Sequence, residues 1–226
     1  MKKLATRVLL SALLFAALPS VAGAQSLLFD YLGFDYESPN PNPATFGELG
    51  SGYVGLGTVP GLFAPLVGNV VANEYTYVMN GLTPISVTPV GSYLVIDYSP
   101  GTLSIYEDSR STGTIADYGT NPPSPVAPAS FTDGVLFLQG AITGFQFVLN
   151  TANGTGSFES HFDVTGGAQL GNFALNQRSG WQFAGASGNA LNIPAGYAHQ
   201  IDGQTFLDPP LPTRNITWGK LKATYR

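Results

Sequence analysis

Three side chains capable of chemistry fall within one strand-like stretch, SFESHFDVTGG: Glu159, His161 and Asp163. In an extended chain alternate side chains share a face, so the i, i+2, i+4 spacing aims two carboxylates and an imidazole the same way. By ligand type that set suits a divalent metal, and by pKa range it suits acid–base work. The outer two stand roughly 13 Å apart along a strand, so all three reach one ion only if the strand bends. A solvated polar face is therefore the plainer expectation, because any half-exposed strand alternates in this way. A second set, Glu107, Asp108 and Asp133, sits at strand ends, where oxygen-rich loops can hold calcium and stiffen a fold without disulfides. Its spacing lacks the alternating Asp/Asn and terminal Glu of a calcium loop, so ordinary turn carboxylates are expected there. Calcium is the one cofactor these residues leave open. His199, close after the turn Pro194-Ala195-Gly196-Tyr197, is expected to be a structural hydrogen-bonding residue.

No other catalytic pattern stands out. The chain has no cysteine, which removes disulfides, thiol catalysis and thiolate metal sites together. It contains no G-x-S-x-G and no H-E-x-x-H, and the glycine-rich Gly47 to Gly61 stretch lacks the Lys-Ser/Thr ending of a phosphate cradle. A glycosidase carboxylate pair is defined by separation in space, which no sequence spacing reveals. Tyrosines and tryptophans on a sheet face could likewise stack on sugars.

The elements that must position these groups are strands. The stretch AITGFQFVLN, TANGTG, SFESHFDVTGG reads as a hairpin, with Asn153-Gly154 supplying the tolerance of positive φ that a tight reversal needs. Phe158, Ser160, Phe162 and Val164 fall on one side of its second strand and Phe145, Phe147 and Leu149 share a side of the first, which predicts a core face opposite the wet one. Upstream, EYTYVMN, ISVT, SYLVIDY and LSIYED are separated by Gly- and Pro-containing turns at the spacing of an antiparallel meander. The opening LLFDYLGFDYE has strand propensity without a clean period. Thr45 to Gly68 reads as a long loop or two short bulged strands, with too much apolar surface for a solvated tether. Two proline-rich segments, Ser38–Pro43 and Asn121–Pro128, interrupt the ladders, the second read as a connection between sheets. Downstream, SGWQFAG places Trp181 and Phe183 on one face, and ITWGKLKATYR reads as a closing strand.

The first residues, MKKLATR, are basic, an apolar run follows from Val8 to Leu18, and Ala22-Gly23-Ala24 fits a cleavage site. The run is shorter than the roughly 20 residues of a spanning helix, so 1–24 read as a secretory signal and the mature chain starts at Gln25. That leaves 226 − 24 = 202 residues, enough for one domain, 25–226, with no transmembrane helix expected in it. Losing Lys2, Lys3 and Arg7 leaves 9 − 3 = 6 basic against 14 acidic residues, a net charge of −8. With only Arg110 and Arg178 basic between Gln25 and Pro212, no phosphate-tracking stripe exists and nucleic acid is not expected as a partner.

The fold class these patterns predict is all-β, an antiparallel β-sandwich with jelly-roll-like or Greek-key connections. An outer-membrane barrel is disfavoured, because its strands need roughly 9–11 residues and the broken runs here look mostly shorter. The strings YTYVMNGL, YSPGTLSIYED, FTDGVLFLQG and GYAHQIDGQ resemble those of exported bacterial β proteins, a likeness that implies bacterial export and no activity. The expectation is a periplasmic, cell-surface or extracellular β module without catalytic activity, acting in structure or interaction with a protein or polysaccharide partner or by self-association. The alternative is a carbohydrate-binding or carbohydrate-active protein that uses carboxylates and aromatics in a groove.

Overall fold

The computed structural model describes residues 26–39, 46–119, 127–189 and 192–207. The proposed signal and the closing strand ITWGKLKATYR lie outside these residues. Among the described residues ten antiparallel strands form one sheet: β1 (Ser26–Ser38), β2 (Gly52–Leu62), β3 (Asn73–Leu82), β4 (Pro84–Val90), β5 (Tyr93–Tyr98), β6 (Gly101–Ser109), β7 (Val135–Asn150), β8 (Thr155–Gly166), β9 (Trp181–Gly188) and β10 (His199–Leu207). Eight of them, in the order β1-β2-β3-β6-β7-β8-β9-β10, close into a barrel because β7 pairs with β6 on one edge and with β8 on the other, while β10 returns to β1. The expected sandwich is thus corrected to a barrel. Both architectures demand alternating strands joined by turns, and only the long-range pairing that closes the ring separates them.

β3 runs into β4 through Thr83 alone, and β5 runs into β6 through Ser99-Pro100, so β3–β6 make one long kinked hairpin. The kink is pinned where Thr83 N donates to Ser99 Oγ at 3.0 Å and Ser99 N donates to the Thr83 carbonyl at 2.8 Å. β7 spans both halves, pairing through 135–142 with β6 and through 146–150 with β5. The Thr45–Gly68 stretch, read from sequence as a loop or two short strands, contains the single eleven-residue strand β2. The turn of the β7–β8 hairpin falls where expected, with Gly154 at φ 70°.

Inward positions fill the barrel with aromatic rings. Tyr31, Tyr53, Tyr77, Phe145, Phe147, Phe158, Phe162 and Phe183 are all buried, each large ring contributing about 1.5–3 kcal/mol on removal from water. Tyr31 stacks on Phe183 with ring centroids 4.5 Å apart and planes 8° from parallel. Its hydroxyl donates to the Ala184 carbonyl at 3.0 Å, pressed into the wall between Gly185 and Gly203, where a Cβ would come within 2.6 and 2.3 Å of the phenol oxygen. Those two positions therefore need glycine for space.

The barrel is also covered outside on one flank. Tyr36, Val54, Leu56 and Val78 point outward from β1, β2 and β3 and are buried beneath Phe131, Ala127 and Tyr197. Thr76 Oγ1 donates to the Phe131 carbonyl at 2.9 Å and Tyr197 Oη to the Tyr118 carbonyl at 3.1 Å, which holds the two covering segments down. Burial there pushes the Tyr118 phenol up to about 12. The proline-rich 121–128 connection therefore leads into a cover on the barrel wall, its residues 121–126 lying outside those described.

The barrel strands run from eight to sixteen residues, longer than their interrupted sequence suggests, so the length argument against a membrane barrel fails. The face pattern is a better guide. Glu159, His161 and Asp202 face outward and the rings face inward, the reverse of the outward apolar band of a lipid-facing barrel. Among the described residues no helix is long and apolar enough to cross a membrane.

Candidate functional site

β1 carries two carboxylates into the barrel, because Tyr31, Gly33, Asp35 and Glu37 occupy alternate positions on its inner face. The β1–β10 register sets Asp35 opposite His199. Asp35 Oδ1 accepts the His199 backbone N–H at 2.9 Å and the Nδ1–H at 3.0 Å, a tautomer assigned because a carboxylate offers only acceptors. Asp35 Oδ2 accepts Tyr53 Oη at 3.4 Å. Two residues along, Glu37 Oε2 accepts the Gly47 N–H at 2.8 Å and Oε1 accepts Tyr98 Oη at 3.0 Å. Phe46 lies edge-on over the imidazole at 4.8 Å, with Phe147 at 6.2 Å.

This barrel-end network is sealed: Asp35 and Glu37 are 0% exposed and His199 is 1% exposed. Burial drives the Glu37 carboxyl above its ordinary range, against the Gly47 and Tyr98 hydrogen bonds that pull it down, and the Asp35 charge adds to the rise. Burial pulls the His199 imidazole down, but the charge and hydrogen bond of Asp35, with Glu37 behind, outweigh it and leave the ring above its ordinary value. Asp35–His199 is the one ion pair among the described residues. His199 Nε2 is buried with no hydrogen-bond partner among them. Carboxylate, imidazole and phenol are the parts of an acid–base relay, but here they are buried away from solvent.

The residues singled out from sequence lie elsewhere. Glu159 and His161 face water from β8, opposite the buried row Phe158, Ser160, Phe162 and Val164, as the alternation predicts. Asp163 Oδ1 accepts Gly180 N at 3.1 Å, and His161 Nδ1 lies 3.5 Å from Gln182 Nε2. Glu107 Oε1 accepts Tyr75 Oη at 2.6 Å and an Asn73 amide hydrogen. Asp108 ties its own loop through the backbone N–H groups of Ser109 and Thr114, and Asp133 is exposed in a turn. Among the described residues no three His, Asp or Glu side chains converge where a metal ion could sit.

The outer wall beside Glu159 forms a shallow trough. Ala184, Gly185 and Ala186 floor it along β9, Ser157 and Glu159 flank it on β8, and Asp202 and Gln204 flank it on β10. The trough exists because the outward β9 positions carry methyl groups where both neighbouring strands carry longer polar side chains.

Sequence reasoning missed Asp35 and Glu37 altogether and gave His199 a bland role. The available signal was two acids, at i and i+2, alternating with Phe34 and Tyr36 in a stretch otherwise rich in aromatics. No family model, curated protein or solved structure matches the chain.

Proposed function

We propose that the chain is an exported, non-catalytic β-barrel that acts as a surface or interaction module through its outer wall. The observation that carries this reading is the filled lumen: aromatic rings occupy the space in which a ligand-carrying barrel holds its ligand, and the acid–base groups lie closed beneath Phe46. Export is supported by the basic, apolar and small-residue order of residues 1–24.

A polysaccharide is the second reading, favoured by the trough, whose Glu159, Asp202 and Gln204 can hydrogen-bond sugar hydroxyls along an extended chain. Thermal unfolding of the chain from Gln25 onward, against a panel of polysaccharides and with calcium, zinc or chelator, tests both readings, since a ligand that prefers the native state raises the midpoint. A polysaccharide that raises it for the native sequence but not for Glu159→Ala/Asp202→Ala establishes trough binding. Shortening of any polysaccharide by the protein would overturn the non-catalytic reading.

A further inference from the structure

Glu37 holds together three elements that close one end of the barrel. It projects from β1, accepts the Gly47 N–H of the 46–51 turn, and accepts the Tyr98 hydroxyl of β5. The turn is wedged in place: Gly47 lies against Ile96 of β5, and Phe46 covers the His199 imidazole while its ring meets Tyr53 at 6.0 Å and Phe147 at 5.4 Å. A single carboxylate thus latches the plug.

The charge in this end is unbalanced. Asp35 and Glu37 share one face of β1, and the groups facing them are Tyr53 from β2, Tyr98 from β5 and His199 from β10, with Ser51 in the turn and Tyr31 and Tyr77 deeper in the lumen. β7 contributes only the rings of Phe145 and Phe147. Arg110 and Arg178, the only Arg or Lys among the described residues, bond backbone carbonyls elsewhere, and residues 40–45, Asn-Pro-Asn-Pro-Ala-Thr, contain no ionisable side chain. Among the described residues His199 is therefore the one side chain placed to act as counter-cation. With both carboxylates ionised and His199 neutral, two negative charges lie uncompensated among aromatic rings, a state that opening to water relieves.

We propose that the 46–51 turn is a proton-dependent plug, seated while Glu37 and His199 hold their protons and released as pH rises, which opens the barrel end onto Asp35, His199 and Tyr53. This does not depend on what the outer wall binds. The direction of proton affinity agrees. Glu37 and His199 are both raised in the closed form, so closure is favoured below their ordinary values of 4.5 and 6.5 and weakens as pH climbs from each through its raised value.

Hydrogen exchange of the chain from Gln25 onward, read by mass spectrometry at pH 5 and pH 8 and corrected for the intrinsic rate, tests the plug. Exchange of residues 46–51 relative to β8 should rise between the two pH values by roughly tenfold for each pKa unit separating closed from open forms. Glu37→Gln keeps an acceptor but cannot ionise, so the rise should shrink. Tyr98→Phe removes one latch bond and leaves the carboxylate, so exchange of the turn should increase at both pH values with the pH dependence kept, which covers the case in which Glu37→Gln does not fold. A turn that tracks β8 at both pH values, or a rise undiminished in Glu37→Gln, would overturn the proposal. So would an NMR titration of the His199 ring with a midpoint at or below 6.5 in the native protein.

Discussion

Two sets of side chains in this barrel share one inventory, two carboxylates and an imidazole, and differ in almost everything else. Glu159, His161 and Asp163 stand in a row on β8, spread along the strand and facing water. Asp35, Glu37 and His199 are brought together across β1 and β10 and sealed under Phe46. Water screens the first set, and its hydrogen bonds can be exchanged for bonds to solvent at little cost. The second set has no such exchange available: His199 depends on Asp35 for its charge and hydrogen bond, and Glu37 on the Gly47 N–H and the Tyr98 hydroxyl. Residue type alone ranked the outer row first. Environment reverses the ranking.

The sharpest way to break this comparison is to delete one acid from each set and measure urea unfolding. Asp35→Ala leaves His199 without its partner inside the barrel and should cost about 3–5 kcal/mol, as breaking a buried pair does. A loss near zero would mean that the barrel end is wetter than its burial indicates. A smaller effect is expected in the wall that holds the aromatic core. A Cβ at Gly185 would lie 2.5 Å from the Asp202 carbonyl oxygen and 2.6 Å from Tyr31 Oη, so Gly185→Ala should cost about 1–3 kcal/mol by overpacking. Adding Tyr31→Phe withdraws one of those contacts, so the double variant should lose less than the sum of the singles; strict additivity would remove Tyr31 from the explanation. The smallest effect belongs to the outer row. Glu159→Ala and Asp163→Ala should each shift stability by no more than about 0.5 kcal/mol, in the range of ordinary surface changes. A markedly larger loss in either variant would show that the row holds the fold in a way its exposure does not suggest.

β8 and β1 also show why parts of the fold were legible in the sequence and parts were not. β8 has one wet face and one dry face, so its alternation of Phe158, Ser160, Phe162 and Val164 with Ser157, Glu159, His161 and Asp163 can be read directly. From Tyr31 to Glu37 β1 alternates as well in the structure, after register irregularities nearer its start. Its inner row includes acids and a glycine, and part of its outer row, Phe34 and Tyr36, lies under the covering segments, so the polarity signal cancels and no period is visible. The same covering explains why β2 reads as loop or broken strand, since Val54 and Leu56 are buried outside while Gly55 and Gly57 occupy the inner positions that follow each of them.

By itself the sequence determined that this is a cysteine-free, all-β chain of antiparallel strands, that Phe145, Phe147, Phe158 and Phe162 are core, and that Glu159 and His161 are wet. These properties depend on local alternation and turn chemistry, which act over a few residues. The tertiary structure decided that the sheet closes into a barrel, and that Asp35 meets His199 across 164 positions of chain. It also decided that Glu37 clasps the turn that covers the Asp35–His199 pair. Those outcomes follow from strand pairing and burial at long range, where the energy of a charged group is set by the neighbours that exclude water from it.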